Sequence, residues 1–201
     1  MRRSRLCGDV FGILEGSRPR QLTVEIAPSF GFGGAADPLG EAPSTSVLET
    51  YPVLTMIALG WTLPDAERPA GRLPKYNPER RKTFAIADWA HVCRAISTKL
   101  AADGAAKLAT WAQTAATSPK PRKSDQDRLD ACICLVSALH LAKRRDALFV
   151  GCCSTGYIVV PDSDLLRKEL QQRCAELGRE AGSWVRVFRL PVGASTPAHG
   201  L

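Results

Sequence analysis

Histidine is scarce in this chain, with three in 201 residues, and so are aromatics, at 6%. The three, His91, His140 and His199, share no ligand-like spacing, which argues against a histidine metal centre. No apolar run reaches the about 18 residues of a membrane-spanning helix. The opening Met1-Arg2-Arg3-Ser4-Arg5 is basic but leads into no apolar stretch, so no secretory signal is expected and the expected location is cytoplasmic. The Gly-rich Gly31-Phe32-Gly33-Gly34 lacks the Gly-Lys-Ser/Thr that makes a phosphate-binding loop.

What the chain does have is the composition of a folded domain. Its 45% hydrophobic content can build a core, and 23% charge keeps the surface solvated. The length suits one domain, and no internal repeat is visible. Seven cysteines, an odd number, read as reduced thiols. Cys132 and Cys134 fall on different faces of a helix and Cys152 and Cys153 are adjacent, spacings that suit burial rather than zinc. The net charge of +7 favours polyanions, and nucleic acid is the partner it suits.

Along the chain, residues 1–45 are broken by Gly and Pro and are expected to be an irregular, partly disordered leader, with one strand-like island at Leu22–Ala27. An ordered domain is expected over 46–192, followed by a tail at 193–201. Val47–Tyr51 reads as a strand stopped by Pro52, and Val53–Gly60 as a short helix. After a Pro-rich connector, Asn77-Pro78 predicts a helix over much of 78–102. Residues 103–117 read as helical. Ser124 with Asp127 forms a capping-box pattern opening a long helix with the stripe Leu129, Ile133, Val136 and His140. Two short strands around a turn, Ala147–Gly151 and Gly156–Pro161, come next. A helix from Asp162 or Ser163 to about Gly178 and a late strand over Trp184–Leu190 complete the pattern.

Carboxylates stand in two places where core patterning does not ask for them. Glu49 lies within the first strand, where it fits an edge, a solvated face or a site at the strand end. Asp127 and Asp130 share one helical face. Their position near a helix N-terminus also suits the dipole, so capping accounts for Asp127 equally well. Asp130 lies deeper, beside the small residues Ala131, Cys134, Ser137 and Ala138, where a packed surface and repulsion with Glu49 would favour a bound cation. Lys120, Arg122 and Lys123 precede this helix, either as a solvated loop or as contacts for a phosphate backbone.

Four segments carry a family resemblance. Glu49-Thr50-Tyr51-Pro52 resembles the E-x-Y-P strand end of the predicted RNase H-like nuclease family (domain of unknown function 429). Lys75-Tyr76 resembles its K-Y segment, and Asp127-Arg128-Leu129-Asp130-Ala131 its D-x-x-D-A helix. Gly156-Tyr157-Ile158-Val159-Val160-Pro161 resembles its closing hairpin. The resemblance covers about residues 47–161 in the family's order. It implies an α/β fold of the RNase H type, a mixed sheet flanked by helices. It also implies a divalent-metal nuclease site with Mg²⁺ or Mn²⁺ held by Glu49, Asp127 and Asp130. The family's first, Asp-bearing strand has no clear counterpart. Asp9 beside Gly8 is the nearest candidate, and Arg-rich sequence precedes it. The expected fold is therefore N-terminally incomplete, and the expectation divides between a metal-dependent nuclease and a non-catalytic remnant or binding domain.

Overall fold

The computed structural model describes residues 22–26, 46–143, 145–152 and 156–188. Asp9, Cys7, Cys153, His199 and the Gly193–Leu201 tail lie outside the described residues. The described elements are β1 (Leu22–Ile26), β2 (Ser46–Thr50), α1 (Pro52–Ala58), α2 (Ile86–Ala102), α3 (Ala106–Ala115), α4 (Lys123–Ala142), β3 (Ala147–Cys152), β4 (Gly156–Pro161), α5 (Asp164–Glu176), α6 (Ala181–Trp184) and β5 (Val185–Phe188).

The chain is mixed α/β, as expected, but its strand pairing is not the expected mixed sheet. Among the described residues every paired strand is antiparallel: β1 with β2, and β4-β3-β5 with β3 in the centre. Strand β2 nonetheless passes β4 with Cα separations under 8 Å, closer than the about 10 Å of face-to-face sheet stacking. The strand-like island is described as β1, Leu22–Ile26. It pairs with the whole of β2, Thr23 opposite Glu49.

Strand alternation sorts the β3–β4 hairpin into two faces. Leu148, Val150, Ile158 and Val160 cluster with Leu54 and Ile57 of α1 and with Leu166 and Leu170 of α5. Ala147 and Val159 turn the other way, toward Leu48 of β2 and toward Ala138 and Leu141 of α4. Beyond α4 lies a second apolar layer built by α2 and α3 around Trp89, Val92, Ile96, Ala112, Leu129 and Ile133. Helix α1 is tied across to α4 through the buried contact of Thr55 Oγ1 with Ser137 Oγ, 2.8 Å. The hairpin itself depends on Gly151. Its φ is 126°, and a Cβ there would lie 2.5 Å from the Gly156 carbonyl oxygen, so only glycine fits.

Two helix starts differ from expectation. Asn77-Pro78 opens a turn, not a helix: Asn77 Oδ1 accepts the Glu79 amide, and Ala85 N donates to Lys75 O at 2.8 Å. That bond folds residues 76–84 back on themselves and delays α2 to Ile86. Helix α4 begins at Lys123 rather than after Ser124, because Asp125 Oδ2 accepts the Arg122 amide at 2.8 Å. Ser163, by contrast, caps α5 as its sequence suggests, accepting from Leu166 N. Among the described residues no helix is long and apolar enough to cross a membrane.

Candidate functional site

The acidic positions singled out by the sequence occupy three different environments. On β2, Leu48 and Thr50 are buried while Glu49 is half-buried. Alternation along the strand turns Glu49 away from the face on which Leu48 meets α4. Asp127 is exposed on α4, and its carboxylate takes the ammonium of Lys123 one turn earlier. Lys123 is thereby engaged within its own helix rather than simply presented to a phosphate. Lys120 and Arg122 are exposed in the loop before α4.

Asp130 alone is buried, at 6% exposure. Its Oδ1 accepts the Tyr76 hydroxyl at 2.8 Å, and its Oδ2 accepts the Gln126 side-chain amide at 3.3 Å. Burial, followed by the Asp130 charge, raises the Tyr76 phenol well above its ordinary range, and Tyr51 adds to the effect. The phenol is therefore the donor and the carboxylate the acceptor. Gln126 Oε1 and Thr50 Oγ1 are buried near the same elements without a hydrogen-bond partner.

The sequence pointed to this place without naming its second half. Tyr76 belongs to the Lys75-Tyr76 motif, yet nothing in the sequence pairs it with a residue 54 positions later. Asp88 and Asp103 were missed altogether. Asp88 takes both guanidinium nitrogens of Arg72, at 2.6 and 3.1 Å, and the Lys75 amide at 2.7 Å. Asp103, after α2, takes Lys99 at 2.5 Å and Lys143 at 2.6 Å. The Arg72 hydrogen bond holds the Asp88 carboxyl below its usual range. For Asp103, burial alone would raise the carboxyl, and the two lysine contacts bring it below. For Asp103 the one available signal was Lys99 four residues earlier, which many surface pairs share, and for Asp88, whose partner Arg72 is sixteen residues away, there was none.

The thiols follow the sequence reading: Cys93, Cys132, Cys134 and Cys174 are free and buried. Burial pushes Cys93 and Cys134 up to about 12, so neither is a thiolate near neutrality.

A divalent cation of the RNase H type needs several carboxylates aimed at one point. Among the described residues no three His, Cys, Asp or Glu side chains form such a group. Glu49 lies on the far strand face, Asp127 is engaged by Lys123, and Asp130 is occupied by Tyr76 and Gln126. The arrangement does not fit the expected three-carboxylate metal centre. No family model, curated protein or solved structure matches this chain.

Proposed function

We propose that the chain is a non-hydrolytic binding domain of RNase H-like type, in which the D-x-x-D helix holds the fold together. The observation that carries this reading is the use made of Asp130: a buried carboxylate satisfied by the Tyr76 hydroxyl at 2.8 Å and by Gln126. Two further facts support the RNase H-like part. The strand end at Glu49–Pro52, the Lys75-Tyr76 segment and the D-x-x-D helix meet in space: Tyr76 bonds Asp130 and is electrostatically coupled to Tyr51. The β3–β4 hairpin is also covered by helices on both faces.

The competing reading is a nuclease using Mg²⁺ or Mn²⁺. It is favoured by Asp127 and Asp130 lying one turn apart on α4. Calorimetric titration of Mn²⁺ into the wild type and into Asp130→Asn separates the two. We expect no saturable binding by the folded wild type and no Mn²⁺-dependent cleavage of single- or double-stranded substrates. Stoichiometric binding that Asp130→Asn abolishes, together with cleavage, would replace our reading with the nuclease.

A further inference from the structure

The bonds that fold residues 76–84 back also gather two basic loops at one end of the helical layer. Lys75 O accepts Ala85 N at 2.8 Å, so the segment between them is a closed loop at the start of α2. Tyr76 then fixes the base of that loop to the first half of α4 through Asp130. The indole of Trp89, in the first turn of α2, donates to Ala115 O at the end of α3, 2.8 Å. The connector from α3 to α4 therefore leaves from the same end. Three separate ties bring residues 75–85, 116–122 and the first turns of α4 together.

Exposed cations crowd that end. Lys75, Arg81 and Lys82 project from the first loop, Lys120 and Arg122 from the second, and Arg128 from α4. The acids nearby are engaged, Asp88 by Arg72, Asp125 by the Arg122 amide and Asp127 by Lys123, and Glu79 on the first loop is not without a partner either. Elsewhere the basic residues are more often neutralised, as in Lys99 and Lys143 on Asp103, Arg167 on Asp162 and Arg173 on Glu169.

From this placement we propose that the α2-start, α3-end and α4-start surface docks the phosphate backbone of nucleic acid, through Lys75, Arg81, Lys82, Lys120, Arg122 and Arg128. Lysines serve as mobile point charges and arginines as forked donors to phosphate oxygens, and neither reads base sequence. A membrane surface suits the patch less well. Peripheral membrane helices add a broad apolar face to their cations, and among the described residues Ile86 is the one exposed large apolar side chain near these loops. The surface names the partner of the proposed binding domain, but it rests on charge and on the three ties, so it stands or falls independently of metal chemistry.

The test is binding of a fluorescently labelled duplex of mixed sequence to the full chain, followed by anisotropy from about 50 to about 200 mM salt. The variant Arg81→Ser/Lys82→Ser/Lys120→Ser is compared with a charge-matched control, Lys107→Ser/Arg145→Ser/Lys168→Ser, whose residues are exposed elsewhere. Loss of about three phosphate contacts should make the salt slope shallower by about two to three and weaken binding at low salt at least about tenfold. The control should stay within about twofold. Equal losses in both variants would mean that net charge alone acts, and overturn the surface. Undetectable binding by the wild type at low salt would overturn it too. So would vesicles with acidic headgroups binding more tightly than the duplex and with the same variant dependence. Mn²⁺-dependent cleavage with the variant pattern intact would refute the non-hydrolytic reading and leave the docking surface standing.

Discussion

Helix α4 is anchored at both ends, by different means. Near its start, buried Asp130 receives a neutral hydroxyl from Tyr76, so one charge is satisfied inside the protein by hydrogen bonds. At its far end, Lys143 and Lys99 clasp Asp103, whose carboxylate is 3% exposed while the lysines are 39% and 20% exposed. The first anchor excludes water from a donor–acceptor pair. The second leaves its cations in contact with water and salt. Burial therefore decides which anchor should be insensitive to ionic strength and which should weaken with it.

The largest expected effect is at the buried end. Tyr76→Phe removes the donor and leaves the Asp130 carboxylate buried with poorer satisfaction, a loss of about 1–3 kcal/mol. Urea denaturation should find that loss essentially unchanged between low and high salt. A loss that vanishes in high salt would erase the contrast between the ends. Asp103→Ala comes next, at about 1 kcal/mol for ion pairs whose cations face solvent. This loss should shrink when salt is raised, and a constant value would mean that the clasp is as dry as the Tyr76 anchor.

A pH titration sharpens the comparison further, because His140 sits at the same far end. Its Nε2 donates to Asp146 O at 2.8 Å, leaving Nδ1 buried without a partner. Burial lowers its pKa, and Arg145 and Lys99 add to that, against the opposing Asp146 carbonyl and Asp103 charge. A folded-state value below the unfolded value of about 6.5 means that the unfolded chain binds the proton more readily. Stability should therefore be full above about pH 7 and should fall as pH drops through the unfolded value. His140→Gln should flatten that slope in thermal melts at pH 5 to 8, and an unchanged slope would assign it to other groups. Below that window the lowered carboxyls Asp88 and Asp103 contribute in the same sense. Their stabilisation is present above about pH 4 and is lost as pH falls through their folded values.

The smallest effect belongs to the exposed pair. Asp127→Asn weakens the surface contact with Lys123 and should cost under about 0.5 kcal/mol. Asp127 and Asp130 stand three residues apart on the same helix, and the gap between Asp127→Asn and Tyr76→Phe, which removes the hydroxyl donor to Asp130, sets an exposed carboxylate contact against a buried one. A large loss at Asp127 would restore it as a residue with a role beyond the surface.

Several features are legible in the amino-acid sequence. The alternation of Val24 and Ile26, the stop at Pro52, the long α4 stripe and the Ser163 cap follow from local chemistry, and the elements appear where that chemistry puts them. Helix boundaries depart from the local signals where a distant or competing partner intervenes. The Lys75–Ala85 bond overrides the Asn77-Pro78 start, and Asp125 overrides Ser124. The candidate site is legible as a set of residues and not as a geometry. Motif spacing marks Glu49, Asp127, Asp130 and Tyr76, but whether carboxylates converge depends on which strand face meets which helix.

The sequence by itself therefore determined the element types, the buried thiols and the positive charge, because these depend on composition and on periods of two and 3.6 residues. Tertiary structure alone decided that Tyr76 meets Asp130, that Glu49 faces away from the α4 side of β2, and that two basic loops share one end. Each of those facts joins residues tens of positions apart, and their contact is fixed by the packing of the sheet against α4 and of α4 against α2 and α3.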